Sequence, residues 1–357
     1  MRGKSAISSW QLAVLLFLSR IMQFFLAVSP EGQPGALTAA LLLPASMAAS
    51  ILLLLPAYFL LRKNRGKGIL DLAGERWGKL GAICSAAFFF FSLCVLVQTA
   101  SAFSYFLTST AYPDTSPWLF ILLLFAVGGY AASMGYEPTA RFGAFVFAAL
   151  IAALLFTGFS LWPQAHWAFL RPPAGDSLQS QLQLFARLTL GNVETAALLF
   201  LIPAVNEKQK SVFWKWNLLT FGVGEGAILF TAAVLGDYGK SQRFPFYTVT
   251  KIAEVSIFQR LDSLHIALWV FMALVRLAVF LEVGGKSLAR LLPTRAAKHA
   301  VATCAAVAAL LSGVFTGQQH VLERIGSVFS SGAPVLWLTC LLPLFLLIFR
   351  RKGGAGR

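Results

Sequence analysis

Residues 244–284 read FPFYTVTKIAEVSIFQRLDSLHIALWVFMALVRLAVFLEVG. The aromatic opening, Phe244 to Tyr247, is expected to be extended and to lead into a short amphipathic stretch. Arg260-Leu261-Asp262 then begins an apolar helix of about 20 residues, the length that crosses a bilayer. Arg276 falls near its middle. A guanidinium at that depth costs several kcal/mol unless it faces the protein interior or water and finds a partner. The stretch therefore predicts a membrane helix packed inside a polytopic bundle, carrying a charge whose role goes beyond fold stability.

The rest of the chain agrees. Hydrophobic residues make up 58% of the 357 residues, and apolar runs of spanning length recur throughout. The expected fold class is an all-α integral membrane protein, one polytopic domain over residues 1–357. The formal net charge of +15 suggests nucleic acid only until the basic residues are located. They lie in short loops between apolar runs, where they set topology and meet anionic lipid. No basic face with aromatic stacking groups stands outside the membrane segments, so nucleic acid is not an expected partner. Cys84, Cys94, Cys304 and Cys340 lie inside apolar segments without CxxC or Cys/His spacing, and are expected to be core residues.

Hydropathy gives ten spans, at residues 10–29, 36–61, 81–108, 117–135, 141–162, 188–205, 212–235, 263–284, 298–315 and 332–350. With the N-terminus placed inside, the cytoplasmic segments hold 20 Lys and Arg residues and the external ones 7. That asymmetry obeys the positive-inside rule and predicts cytoplasmic N- and C-termini. Arg2 and Lys4 before an apolar run resemble a secretory signal, with Ala27-Val28-Ser29 as a cleavage site. Gln11, Arg20 and Gln23 within the run argue instead for a retained first helix. Residues 67–79 are expected to form a short interfacial helix using Ile69, Leu70, Leu72 and Trp77. Residues 163–187 and 236–262 form two long external loops; in the second, Ile252, Val255 and Ile257 are placed to cap a cavity. Ten spans divide into two sets of five, residues 10–162 and 188–350. If these are inverted repeats, spans one and six are equivalent first helices.

Four ionisable residues lie well within the spans: Arg20, Glu194, Glu225 and Arg276. Two cations and two anions can neutralise each other, as the cost of buried charge favours. In span six, Gly191 and Asn192 permit local unwinding and Pro203 lacks a backbone donor. Glu194 sits beside that break, where freed amides and carbonyls can bind the ends of an amino acid. In span seven, Gly222, Gly224 and Gly226 beside Glu225 read first as packing residues. Arg276 lies about 4–5 Å cytoplasmic of the midpoint of span eight. In a sodium-coupled carrier this depth often faces span one across an ion site, and a fixed guanidinium there would replace the cation electrostatically. The alternative is a structural salt bridge to Glu194 or Glu225. Arg20 has three readings: it holds an anionic group of a ligand, pairs with Glu194, or snorkels. Trp214, Trp216, Trp269 and Trp337 suit membrane interfaces or packing. The candidate ligand-binding residues are Arg20, Gln23, Gly191, Asn192, Glu194 and Arg276.

Enzymatic signals are weak. His166, His265, His299 and His320 are scattered without metal spacing, no nucleophile motif is present, and there is no Walker lysine or phosphate loop. Neither a cofactor nor a metal is expected.

At Gly191-Asn192-Val193-Glu194 with the later Pro203, at Phe244-Pro245, and at Arg260-Leu261-Asp262 followed by Trp269, the chain resembles the B subunit of bacterial spore germinant receptors. This is the GerAB-like branch of the amino acid–polyamine–organocation transporters. The resemblance runs over essentially the whole chain. It implies a leucine-transporter-like fold of five-plus-five inverted repeats with broken helices 1 and 6. It also implies a small-molecule pocket between spans one, three, six and eight, and a nutrient sensor working with an A-type subunit and a C-type lipoprotein subunit in the spore inner membrane. A proton-coupled amino acid permease is the alternative. One departure stands out. The family's first span usually has a glycine-rich break, whereas this chain has Leu18-Ser19-Arg20-Ile21.

Overall fold

The computed structural model describes residues 7–26, 35–64, 66–170, 177–205, 209–253, 261–316, 318–330 and 332–349. Among these, helices account for almost all regular structure, with one isolated β-bridge between Ile7 and Val205. Seven helices are long and apolar enough to cross a membrane: Ala36–Lys63, Ile69–Thr110, Pro117–Met134, Tyr136–Gln164, Leu178–Ala204, Lys210–Leu235 and Asp262–Ala289. Three shorter apolar helices, Ser9–Phe25, Ala300–Thr316 and Ala333–Ile348, complete the set. All ten coincide with the spans expected from hydropathy. The chain is an all-α, multi-pass membrane protein.

Spans one and eight form the centre. Span one starts at Ser8, whose hydroxyl accepts from the Gln11 backbone N–H while the Gln11 side chain accepts from the Ser8 N–H, closing a capping box. From Leu12 to Met22 every residue is buried, so the helix has no lipid-facing side. Span eight, Leu261–Ala289, packs against spans one, three, four, five and nine. Both are apolar almost all round, as a helix enclosed by other helices must be. Spans four, five and seven are the opposite case: only 22–28% of their apolar windows is buried, and the remainder faces outward as a lipid-facing helix would.

Span six is interrupted as expected. Leu178–Leu190 ends at Gly191, and a new helix, Glu194–Leu201, begins three residues later. Span one departs from the expected break. It is one continuous helix, Ser9–Phe25, because it contains neither glycine nor proline and its backbone carbonyls stay within the helical ladder.

Residues 67–79 do contain a short helix, Ile69–Trp77, with Ile69, Leu70 and Leu72 buried against protein. Phe244 to Tyr247 are not extended. Phe244 caps a helix, Pro245–Ile252, since proline at the first helical position loses no intrahelical bond and has its φ preset. Ile252 is exposed, so it caps nothing; Val255, Ile257 and Arg260 lie outside the described residues.

Close helix contact relies on small residues. A Cβ at Gly285 would lie 2.6 Å from Val301 Cγ2 and 2.9 Å from Val301 Cα, so spans eight and nine meet backbone to backbone. Gly285→Ala is expected to lower the thermal midpoint of the detergent-solubilised protein through about 1–3 kcal/mol of overpacking. Gly226→Ala, where the added Cβ meets nothing within 4 Å, should be neutral or mildly stabilising, alanine being the better helix former by about 1 kcal/mol. Equal midpoints for the two variants would contradict this packing.

Candidate functional site

Successive residues of an α-helix point about 100° apart, so Ser19 and Arg20 on span one serve two different neighbourhoods.

Ser19 faces the first. Arg276 of span eight donates from Nε to Thr99 Oγ1 at 2.9 Å, and from Nη1 to the Ser19 carbonyl at 2.8 Å and to Ser19 Oγ at 2.9 Å. The same Nη1 pairs with Glu194 Oε1 of span six, and Ser19 Oγ donates to that oxygen at 2.9 Å. Arg276 and Glu194 are 1% and 0% exposed. One guanidinium thus ties spans one, three, six and eight together. Of the two carboxylates expected as its partner, Glu194 is used and Glu225 is not. Glu225, itself half-buried on span seven, has its Oε2 unpartnered. Its glycine neighbours divide: Gly224 approaches Leu43 and Ile21, while Gly222 and Gly226 have open space and are not packing residues.

Arg20 faces the second neighbourhood. Its Nη1 donates to the Gly191 carbonyl at 3.0 Å and to Gln23 Oε1 at 3.3 Å, and its Nη2 donates to the Leu188 carbonyl at 3.2 Å. The break in span six leaves carbonyls without intrahelical donors. Arg20 takes two of them, Ser50 of span two takes that of Thr189, and Thr195 that of Asn192. Arg20 is 7% exposed, so it does not snorkel. Neither does it form a salt bridge with Glu194; its direct partners are neutral. A cleft opens beside it, lined by Phe24, Ser50, Asn192, Trp216 and Thr220 among others, between spans one, two, six and seven.

The six candidate residues therefore form two clusters back to back. Arg20, Gln23, Gly191 and Asn192 lie on the span-two side, and Arg276 and Glu194 on the span-three side. Beyond the ion pair, on the side of Phe244 to Tyr247, aromatic rings pack into a plug. Phe25 stacks on Phe246 at 3.9 Å, and Phe106 meets Phe244 and Trp269, each at 5.1 Å between ring centroids. Trp269 lies two turns, about 10 Å, beyond Arg276 along span eight. The four tryptophans split: Trp214 and Trp337 are exposed, whereas Trp216 and Trp269 are buried with Nε1 unpartnered.

Sequence reasoning missed Ser19, Thr99, Ser50 and Thr220, because a single hydroxyl in an apolar run gives no periodic signal. It also missed Glu282, which is buried and paired with Lys286. Among the described residues no group of His, Cys, Asp and Glu is arranged to hold a metal.

A ten-span bundle with a broken sixth helix and a polar crossing of spans one, three, six and eight is a leucine-transporter-like membrane protein. A solved Na+-coupled sialic acid symporter in a substrate-bound, outward-open state has the same fold, with a TM-score of 0.67 over 96% of this chain and 80% of that one at 13% identity. No curated protein matches the chain. The family model of the spore germination protein matches residues 39–320, and the chain belongs to that spore permease family.

Removing one member of the buried pair leaves the other charged and unpaired, at about 3–5 kcal/mol. Arg276→Met and Glu194→Gln should each lower the thermal midpoint strongly, and the double variant should lose markedly less than the sum. Additive losses in that cycle would show that the two charges are not coupled.

Proposed function

We propose that the protein is the membrane subunit of a spore germinant receptor. It binds a small nutrient, an amino acid by the chemistry of the span-six break, and passes a conformational bias to A-type and C-type partner subunits. Ligand would shift the helices only through unequal affinity for two arrangements. Residues 10–162 and 188–350 are the two repeats in this reading, with both termini cytoplasmic as the loop charges demand, in the spore inner membrane. Arg20, Gln23, Gly191, Asn192, Glu194 and Arg276 are the polar groups assigned to the ligand and to the helices that respond to it.

The observation that carries this reading is Arg276. Its guanidinium occupies the crossing of spans one, three, six and eight and satisfies the Ser19 carbonyl, Ser19 Oγ, Thr99 Oγ1 and Glu194 Oε1 together. A mobile coupling cation would have to use those same oxygens. With the positive charge supplied covalently, no ion gradient can drive transport through this point, which suits a sensor better than a pump.

A second reading, a proton-coupled amino acid permease, draws on Glu225. Its unpartnered, buried Oε2 in span seven is where a proton carrier would keep an exchangeable carboxyl.

The tagged protein, isolated from dormant-spore inner membrane, should bring down an A-type and a C-type subunit. Glu194→Gln, compared at equal amounts of folded protein in the membrane, should still bring down both subunits but lose ligand response. Recovery alone, together with uptake into liposomes under a pH gradient that Glu225→Gln abolishes, would establish the permease instead.

A further inference from the structure

At the end of the bundle that the loop charges assign to the cytoplasm, cations are answered by carboxylates on one side only. Lys67 pairs with Glu75, Arg141 with Glu137, Lys286 with Glu282 and Arg290 with Asp71. These pairs belong to the helix Ile69–Trp77 and to the ends of spans five and eight. The ends of spans two and seven differ. Arg62, Lys63, Arg65, Lys208, Lys210 and Lys215 stand there against one acid, Glu207. Among the described residues, Arg62, Lys63, Lys210 and Lys215 enter no salt bridge.

The positive-inside rule accounts for cations at this end but not for their arrangement. Lys210 and Arg62, from different helices, converge on one phenol. Lys210 Nζ lies 5.7 Å from the Tyr58 ring centroid, and both cations reach the Tyr58 hydroxyl. The Tyr58 ring in turn packs edge-on against Phe213 of span seven. Two like charges gathered at one point repel each other unless an anion joins them. Inward from each cation the helix repeats one order of side chains. Span seven has Lys210, Trp214 and Leu218, and span two has Arg62, Phe59 and Leu55. Steps of three and four residues place side chains on one helix face, and Trp214, Leu218, Phe59 and Leu55 are all exposed. Each stripe thus runs from a charge through an aromatic ring at interfacial depth to an aliphatic side chain facing hydrocarbon.

We propose that the ends of spans two and seven form a binding site for an anionic phospholipid. Its phosphodiester sits between Arg62 and Lys210, which Tyr58 holds at one point, and its acyl chains lie along Trp214 and Leu218 and along Phe59 and Leu55. The occupant is a lipid rather than a free phosphate or an acidic loop, because the cations stand at the head of two stripes that face hydrocarbon. Lys215, on the same helix, donates to Ser9 Oγ at 2.9 Å at the start of span one. A phosphate that ties span two to span seven therefore also restrains span one, the helix that carries Ser19 and Arg20. The inference needs only the membrane fold and stands apart from the receptor reading.

The test is thermal unfolding of the purified full-length protein in detergent, titrated with phosphatidylglycerol, phosphatidylcholine or inorganic phosphate. Phosphatidylglycerol should raise the midpoint saturably, and the other two should not. In Arg62→Gln/Lys210→Gln its apparent affinity should fall about 25-fold, about fivefold for each basic residue lost at an anionic surface. Lys67→Gln/Arg141→Gln removes as much charge, but from cations that already have carboxylate partners, and should bind almost as wild type does. Tyr58→Phe keeps both charges and should still weaken binding, because it frees the cations from their common point; it decides the matter if the first double variant does not fold. Equal losses in the two double variants would reduce the effect to net charge and overturn the site. Equal stabilisation by inorganic phosphate would overturn the lipid as occupant. No preference for phosphatidylglycerol over phosphatidylcholine would overturn the proposal as a whole, whatever subunits the pull-down from spores returns.

Discussion

The structure depends on one constraint: a guanidinium buried near the centre of a membrane bundle must be satisfied on all sides or not be there. Arg276 meets it by collecting oxygens from three other helices, the Ser19 backbone and hydroxyl, the Thr99 hydroxyl and the Glu194 carboxylate. None of these is close to another in sequence. Nε therefore fixes span three and Nη1 fixes spans one and six, so their relative placement follows from span eight. Such a pair adds little net stability, since desolvation offsets most of its attraction. Its effect is on which arrangement is allowed.

The break in span six depends on a second guanidinium. Unwinding at Gly191 to Val193 exposes carbonyls inside a bundle where water cannot be counted on. Arg20 and Ser50 take them up from spans one and two. Span one can then remain a continuous helix, since the polar work usually shared between two broken helices is carried by one break and one side chain. Ser19 and Arg20, adjacent on a helix without glycine, join the two neighbourhoods. A shift of span one therefore reaches both the ion pair and the cleft, which suits a protein whose proposed output is a conformational signal.

Much of this was legible in the sequence, for identifiable reasons. The ten spans follow from hydropathy because lipid imposes a length on every crossing helix. The span-six break follows from Gly191 and Asn192 beside Glu194, and the importance of Arg276 follows from the cost of its charge. Pairing was not legible. Glu194 and Glu225 are equivalent in sequence terms, and only packing selects Glu194. Phe244 to Tyr247 read as extended because three of the four residues are aromatic, but Pro245 at a helix start outweighs that. The cleft was invisible because its signal is a lack of partners, and Trp216 among apolar residues looks like any interfacial tryptophan.

The central claim is that Arg276 stands where a coupling cation would bind. The most direct test is the thermal midpoint of the purified protein in sodium, potassium and choline chloride at equal ionic strength, for wild type and Arg276→Ala. The wild type should be indifferent to the cation. Arg276→Ala, which leaves the Ser19, Thr99 and Glu194 oxygens facing an empty position, should be destabilised and should regain part of the loss in sodium alone. A wild-type protein stabilised selectively by sodium would contradict the account, because it would place a cation site beside a guanidinium held to have replaced it.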